Sequence, residues 1–206
     1  ILATGLLSNV VSIAMTEKLH YSIRVNSIQI LAAITATHPS TPTEQDMMDL
    51  VFLACNLQED IEIRRYCMLS LANAASDAAN TNACLKKAYL EAILNVVSHG
   101  TDDGGMGKEP ALQVAAQQKS ALDSTTQGDS MGADAIFVDF ATQFFHNLSK
   151  CDDKTGLMLL QCGFEKRYLQ RDFLKKLSLT SAIYFCDLCR QLTDEMSVRQ
   201  ELTRRT

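Results

Sequence analysis

Cys186 and Cys189, in YFCDLCRQL, are spaced as C-x-x-C. Two thiols at that spacing can exchange a disulfide or supply half of a zinc site. Redox work needs the first thiol at a helix N-terminus, where the dipole favours thiolate. Here the pair lies inside an apolar run of helical period, and no second ligand pair follows at zinc spacing, so both read as core cysteines. The other five, Cys55, Cys67, Cys84, Cys151 and Cys162, lie in or beside helical patterns. An odd total of seven suits a reducing compartment. The four histidines, His20, His38, His99 and His146, show no H-x-x-x-H spacing. His146 adjoins Asn147 and is placed to touch a ligand or to sit at a boundary. GTDDGGMGKE at 100–109 follows no strand and misses the phosphate-loop spacing, and Asp102, Asp103 and Asp129 lack an EF-hand frame. Asn147-Leu148-Ser149 fits a glycosylation sequon but falls within a predicted helix. The spacing offers no catalytic residue, metal ligand or cofactor-binding residue, and a non-enzymatic chain without cofactors is expected.

What remains is a different chemistry, that of primary amides in apolar helices. Asn73 interrupts RRYCMLSLANAAS, where every neighbour of LSLANAA is small or apolar. A carboxamide both donates and accepts hydrogen bonds, so it suits a peptide group as partner. The elements that would position it are helices. The chain has 206 residues, 47% of them hydrophobic and 21% charged, with 9 Gly and only 3 Pro. Long helical patterns run over 22–37, 61–76, 135–150 and 179–194, and shorter ones over 6–15, 47–57, 83–97 and 156–177. Period-2 alternation is not sustained, so no sheet is predicted. Pro39 and Pro42 end one helix, and Thr43 ahead of Glu44, Gln45 and Asp46 caps the next. Residues 99–133 hold six of the nine glycines and read as an inserted flexible loop, with a short helix at 110–122.

The net charge of −5 gives no field for nucleic acid, and no apolar run reaches the length of a membrane span. The first residue is Ile, no signal peptide is visible, and a fragment cut at both ends of a cytoplasmic protein is expected, with nuclear or ciliary settings open.

The long helices align at Ala33, Asn73, Asn147 and Asp187. The first and last pairs are 40 residues apart, and the middle pair 74, an excess of 34 that matches the glycine-rich segment. A period near 40 in an all-helical chain means stacked helical units. Ile63-Arg64-Arg65, Leu71-Ala72-Asn73-Ala74 and the later Asn80 and Asn82, Phe145-His146-Asn147-Leu148-Ser149 with Gly163, and Gly5 ahead of LLSNVVSIA together resemble the armadillo repeat. The resemblance covers the chain outside 99–133; HEAT repeats share its period. It implies an all-α, right-handed α-solenoid of about four repeats, whose third helices line a concave groove with the shorter helices on the convex side. In that family the third-helix Asn hydrogen-bonds the backbone of an extended peptide, which implies groove roles for Asn73 and Asn147. Ala33 and Asp187 mark gaps in the ladder. The Trp that builds lysine slots in nuclear-import relatives is replaced by Gln29, Leu69, Gln143 and Ile183, so a nuclear localisation signal is not the expected ligand.

Gln143, Asp187, Lys150 and Arg190 are the expected selectivity residues beside the two asparagines. Residues 154–176 add six basic side chains against two acidic ones, a surface that attracts an acidic peptide unless these are simply solvated helix faces. The expected function is a non-catalytic scaffold that presents its groove to a peptide or helix of a partner protein. The alternatives are a structural segment of a large cytoskeletal or axonemal assembly, or an accessory domain of a larger enzyme.

Overall fold

The computed structural model describes residues 5–98, 135–152, 154–168, 177–194, 200 and 203–204. Its described residues form helices and connectors without a strand. The helices are α1 (Leu6–Met15), α2 (Tyr21–Thr37), α3 (Glu44–Cys55), α4 (Ile61–Ala74), α5 (Thr81–Cys84), α6 (Lys87–Ser98), α7 (Ala135–Cys151), α8 (Lys154–Gln161), α9 (Phe164–Tyr168) and α10 (Leu179–Asp194). The expected insertion 99–133, including the helix at 110–122, lies outside the described residues.

Local chemistry sets the boundaries. His20 Nδ1 accepts from the Ser22 amide and starts α2. Thr43 and Asp46 form a reciprocal capping box at the start of α3. Asp60 accepts from the Glu62 amide at the start of α4. Beyond α4, the buried Asn80 amide donates to the Ala74 carbonyl at 3.0 Å and to the Pro39 carbonyl at 2.6 Å, which ties two connectors together.

Two predicted helices are broken in the structure. The pattern over 83–97 splits, because α5 ends at Cys84 and α6 begins only at Lys87. The pattern over 156–177 also splits. Gly163 adopts φ +78°, a left-handed conformation that ends α8 and turns the chain into α9. Apolar periodicity ran on through both breaks, and that is why the sequence concealed them.

The helices pack in two rows. In one row α2 lies on α4, α4 on α7, and α7 on α10. In the other α1 lies on α3, α3 on α6, and α6 on α9. α1 joins α2 and α3 joins α4 across the rows. Ile28, Leu31, Met47, Leu50, Ile63 and Met68 fill the seam between them. Near α10 the filling becomes aromatic. Phe145 meets Phe164 and Tyr168 edge-on, while Phe164 and Tyr168 stack at 4.6 Å.

A repeated ionic device locks the rows together. Arg24 Nε donates to the Ala14 carbonyl at the end of α1 (2.8 Å), and Arg64 Nε donates to the Ala54 carbonyl at the end of α3 (3.2 Å). Each cation thus meets the negative end of a helix dipole. The Arg24 guanidinium also forms a two-pronged pair with Glu59, and both side chains are nearly buried. Arg64 lies over the Phe137 ring at 5.4 Å. By contrast, Lys86 and Glu44 pair in a more exposed setting. Removing one partner of a buried pair strands the other charge, whereas an exposed pair is worth at most about 1 kcal/mol. Arg24→Ala is therefore expected to lower unfolding free energy by about 3–5 kcal/mol. Lys86→Ala should cost far less, because water screens that pair, with both losses read from urea denaturation. Equal losses for the two variants would contradict this assignment.

Candidate functional site

Asn73 and Asn147 occupy equivalent positions on adjacent helices of the long row, and both are half-buried. Their amides face the preceding helix. Asn73 Nδ2 donates to the Ala32 carbonyl of α2 at 3.2 Å, with Thr35 Oγ1 a weaker acceptor at 3.4 Å. Asn147 Nδ2 donates to the Ala72 carbonyl of α4 at 2.8 Å. Ala32 and Ala72 are themselves 40 residues apart, so one contact recurs in one register. A helical carbonyl has a second lone pair for this purpose, and Ala is small enough to let the amide reach it. The predicted partner of these donors was a bound peptide, but one donor of each amide is used inside the protein. Oδ1 of both residues has no hydrogen bond among the described residues.

Asp187 was expected to mark a gap in the ladder. Instead it makes the same cross-helix contact with reversed chemistry. At the position of Ala32 and Ala72, α7 carries His146, whose Nε2 lies 2.8 Å from Asp187 Oδ2. The His146 ring is buried and packs on Tyr184 at 4.9 Å. Ser149, one turn on, bonds Gln191 of α10, and Gln191 Nε2 donates to Asp187 at 3.1 Å. His146 is thus part of the α7–α10 joint rather than an open contact. Ala33, at the equivalent position of α2, has no polar side-chain group to offer.

Lys150 and Arg190 also converge on Asp187. Arg190 donates to Oδ1 from Nη2 at 2.7 Å and from Nε at 3.2 Å, and Lys150 Nζ lies 3.9 Å from Oδ2. Arg190 reaches Asp194 as well, at 3.6 Å. Two cations and two carboxylates therefore share one patch, which leaves little net positive field there. Gln143 is half-buried on the same helix as Asn147, one turn before it, and its side chain has no hydrogen bond among the described residues.

Burial pushes the Cys189 thiol up to about 11 and the Cys55 thiol up to about 12, and holds Cys67 well above the ordinary range. Cys186 and Cys189 sit mid-helix in α10, but they are not the core residues expected from the apolar run, since Cys186 is exposed and Cys189 only half-buried. Among the described residues no three His, Cys, Asp or Glu side chains gather as metal ligands, and no helix is long and apolar enough to cross a membrane.

No protein-family model matches the chain, and no curated protein or solved structure matches it either. The armadillo resemblance therefore rests on the motif residues of the sequence alone.

The contacts that reasoning from sequence missed had a signal. Arg24 and Arg64 are separated by the 40-residue period, as are Ala14 and Ala54. His146 precedes Asp187 by 41 residues, as Ala32 precedes Asn73. Recurrence of pairs, beyond recurrence of single residues, would have revealed both.

Arg190 first, and then His146, lower the Asp187 carboxyl from its ordinary 3.8 to about 2. A depressed folded-state value means that the stabilising contribution is complete above about pH 4 and is lost as pH falls through about 2. Acid titration followed by NMR should loosen the α7–α10 joint in that window. Asp187→Asn should remove this component of the acid response. An unchanged acid profile in that variant would show that the cluster does not hold the joint.

Proposed function

We infer that the chain is a non-catalytic protein-binding scaffold of armadillo type, a right-handed α-solenoid of about four units that offers one face of its long helices to a partner segment. Support for the architecture comes from the two rows of helices and from contacts that recur at 41-residue separation once the 34-residue excess is removed. The function rests mainly on one observation. Asn73 and Asn147 sit in register on neighbouring helices, each amide fixed by its own Nδ2, and each Oδ1 remains without a hydrogen bond among the described residues. Adjacent packed helices lie about 8–10 Å apart. A pair of oriented acceptors at such spacing suits backbone N–H groups of an extended segment, or donor side chains on one helix face.

Gln143 and Ile183, at equivalent positions on α7 and α10, extend the same face with one polar and one exposed apolar side chain. Lys150 and Arg190 are already countered by Asp187 and Asp194. Their pull on an acidic partner is correspondingly weak, so the reading favours a neutral or amphipathic segment over an acidic one. A solenoid of this kind acts as a rigid presenting surface, and the chemistry of recognition lies in the partner-facing side chains.

The test is affinity capture from extract with mass spectrometry. The native chain, Gln143→Arg/Ile183→Arg and a deletion of residues 100–132 serve as baits. The face reading expects the double variant to lose a partner by at least about tenfold in affinity with unchanged melting temperature, as for a central contact. Loss confined to the deletion would contradict it and favour a structural segment that docks through the 99–133 insertion.

A further inference from the structure

The outer side of the short row carries an apolar ridge. Met48 and Phe52, four residues apart on α3, share one helix face and are 44% and 60% exposed. α3 packs on α1, α4 and α6, and its buried residues, among them Met47, Leu50, Val51 and Ala54, take the other side. Every other described phenylalanine is buried or half-buried. The internal repeat supplies a control. Ser8 and Ser12 stand forty residues earlier, and Ala88 and Ala92 forty later. All four are small, and each is exposed or half-buried. The fold thus places no demand for bulk at these positions, and the ridge adds little to the core of its own chain. Exposed large apolar side chains in such a place mark a contact surface.

The ridge has a hollow beside it. α6 lies next to α3 in the short row, so Met48 and Phe52 adjoin a trough floored by Ala88 and Ala92. The 40-residue register sets Met48 level with Ala88 and Phe52 level with Ala92. The charges around both are engaged inside the chain. Lys86 pairs with Glu44, Lys87 lies 3.6 Å from Glu91, and Asp49 accepts from Gln45 at 2.9 Å. A strongly charged partner meets no opposing field on this face, whereas two like copies meet without strong repulsion.

We propose that two copies of the chain associate through this face, about a two-fold axis parallel to α3 and α6 and midway between them. That rotation lays α3 of each copy over α6 of the other, with Met48 over Ala88 and Phe52 over Ala92. Each contact is then made twice, as a two-fold interface requires. Knobs and hollows have the same four-residue spacing, so a ridge of one copy fits a trough of the other along the helix. Two ridges in two troughs make a small joint, so the dimer is weak and its population follows concentration. The inference stands apart from the groove reading, because none of these residues lies on the long helices.

Sedimentation velocity of the whole chain in reducing buffer, from dilute to millimolar, tests it. The native chain should pass from monomer to dimer and stop there, because a two-fold contact closes on itself. Phe52→Glu and Ala88→Lys should each weaken dimerisation by at least about tenfold, as for central contacts. Circular dichroism and melting should be unchanged, since both side chains are exposed within one copy. Met48→Glu takes the place of Phe52→Glu should the latter melt early. Mixed in equal amounts, Met48→Glu and Ala88→Lys should form a heterodimer more readily than either forms a homodimer. One junction of that heterodimer is native, and the other joins the introduced carboxylate to the introduced ammonium. A native chain that stays monomeric at every concentration would overturn the proposal. So would a dimer that Ala88→Lys leaves intact, which would point to like-on-like contact of the Phe52 ridge.

Discussion

A side chain of one long helix reaching the backbone of the helix before it is the contact on which the row depends. Asn73 reaches the Ala32 carbonyl and Asn147 reaches the Ala72 carbonyl, in identical register. Apolar burial alone would hold these helices together, but it is non-directional and tolerates sliding. A hydrogen bond to one particular carbonyl does not. Placed in a half-buried seam, an unpaired amide would cost about 1–3 kcal/mol, so each slipped register is penalised. The polar residue in an otherwise apolar helix thus chooses among packings that hydrophobicity leaves nearly equal.

The same logic explains the substitution at the α7–α10 joint. His146 replaces the small residue whose carbonyl is reached elsewhere, and Asp187 replaces the amide that reaches it. The contact survives with a ring nitrogen and a carboxylate in place of an amide and a carbonyl. Arg190 and Lys150 then gather on the carboxylate, so residues expected to attract a partner have become part of the internal wiring. Arg24 and Arg64 play the equivalent part between rows, where they hold the ends of α1 and α3.

Much of the architecture was legible in the sequence, for identifiable reasons. The four long helices fall within a few residues of their predicted limits, because long amphipathic periods survive tertiary packing. The Thr43 start was legible because capping is local chemistry. The breaks at Leu85–Lys86 and Gly163 were not, since apolar spacing runs across both and only the backbone conformation separates the pieces. Of the candidate site, the alignment of Ala33, Asn73, Asn147 and Asp187 was readable from spacing, but the direction of each amide was not. Position on a helix face fixes which neighbours are near; which atom receives the proton is decided by the neighbour's backbone and by the size of its side chain.

The measurement closest to this account is hydrogen exchange of the Asn73 and Asn147 carboxamide protons by NMR. One Nδ2 proton of each residue should be shifted and protected, and its exchange should rise together with that of the backbone amides of α2, α4 and α7 as denaturant opens the row. If both protons of either residue exchange at the rate of a free amide while the helices remain intact, the cross-helix bonds do not set the register. The row would then be held by apolar packing alone.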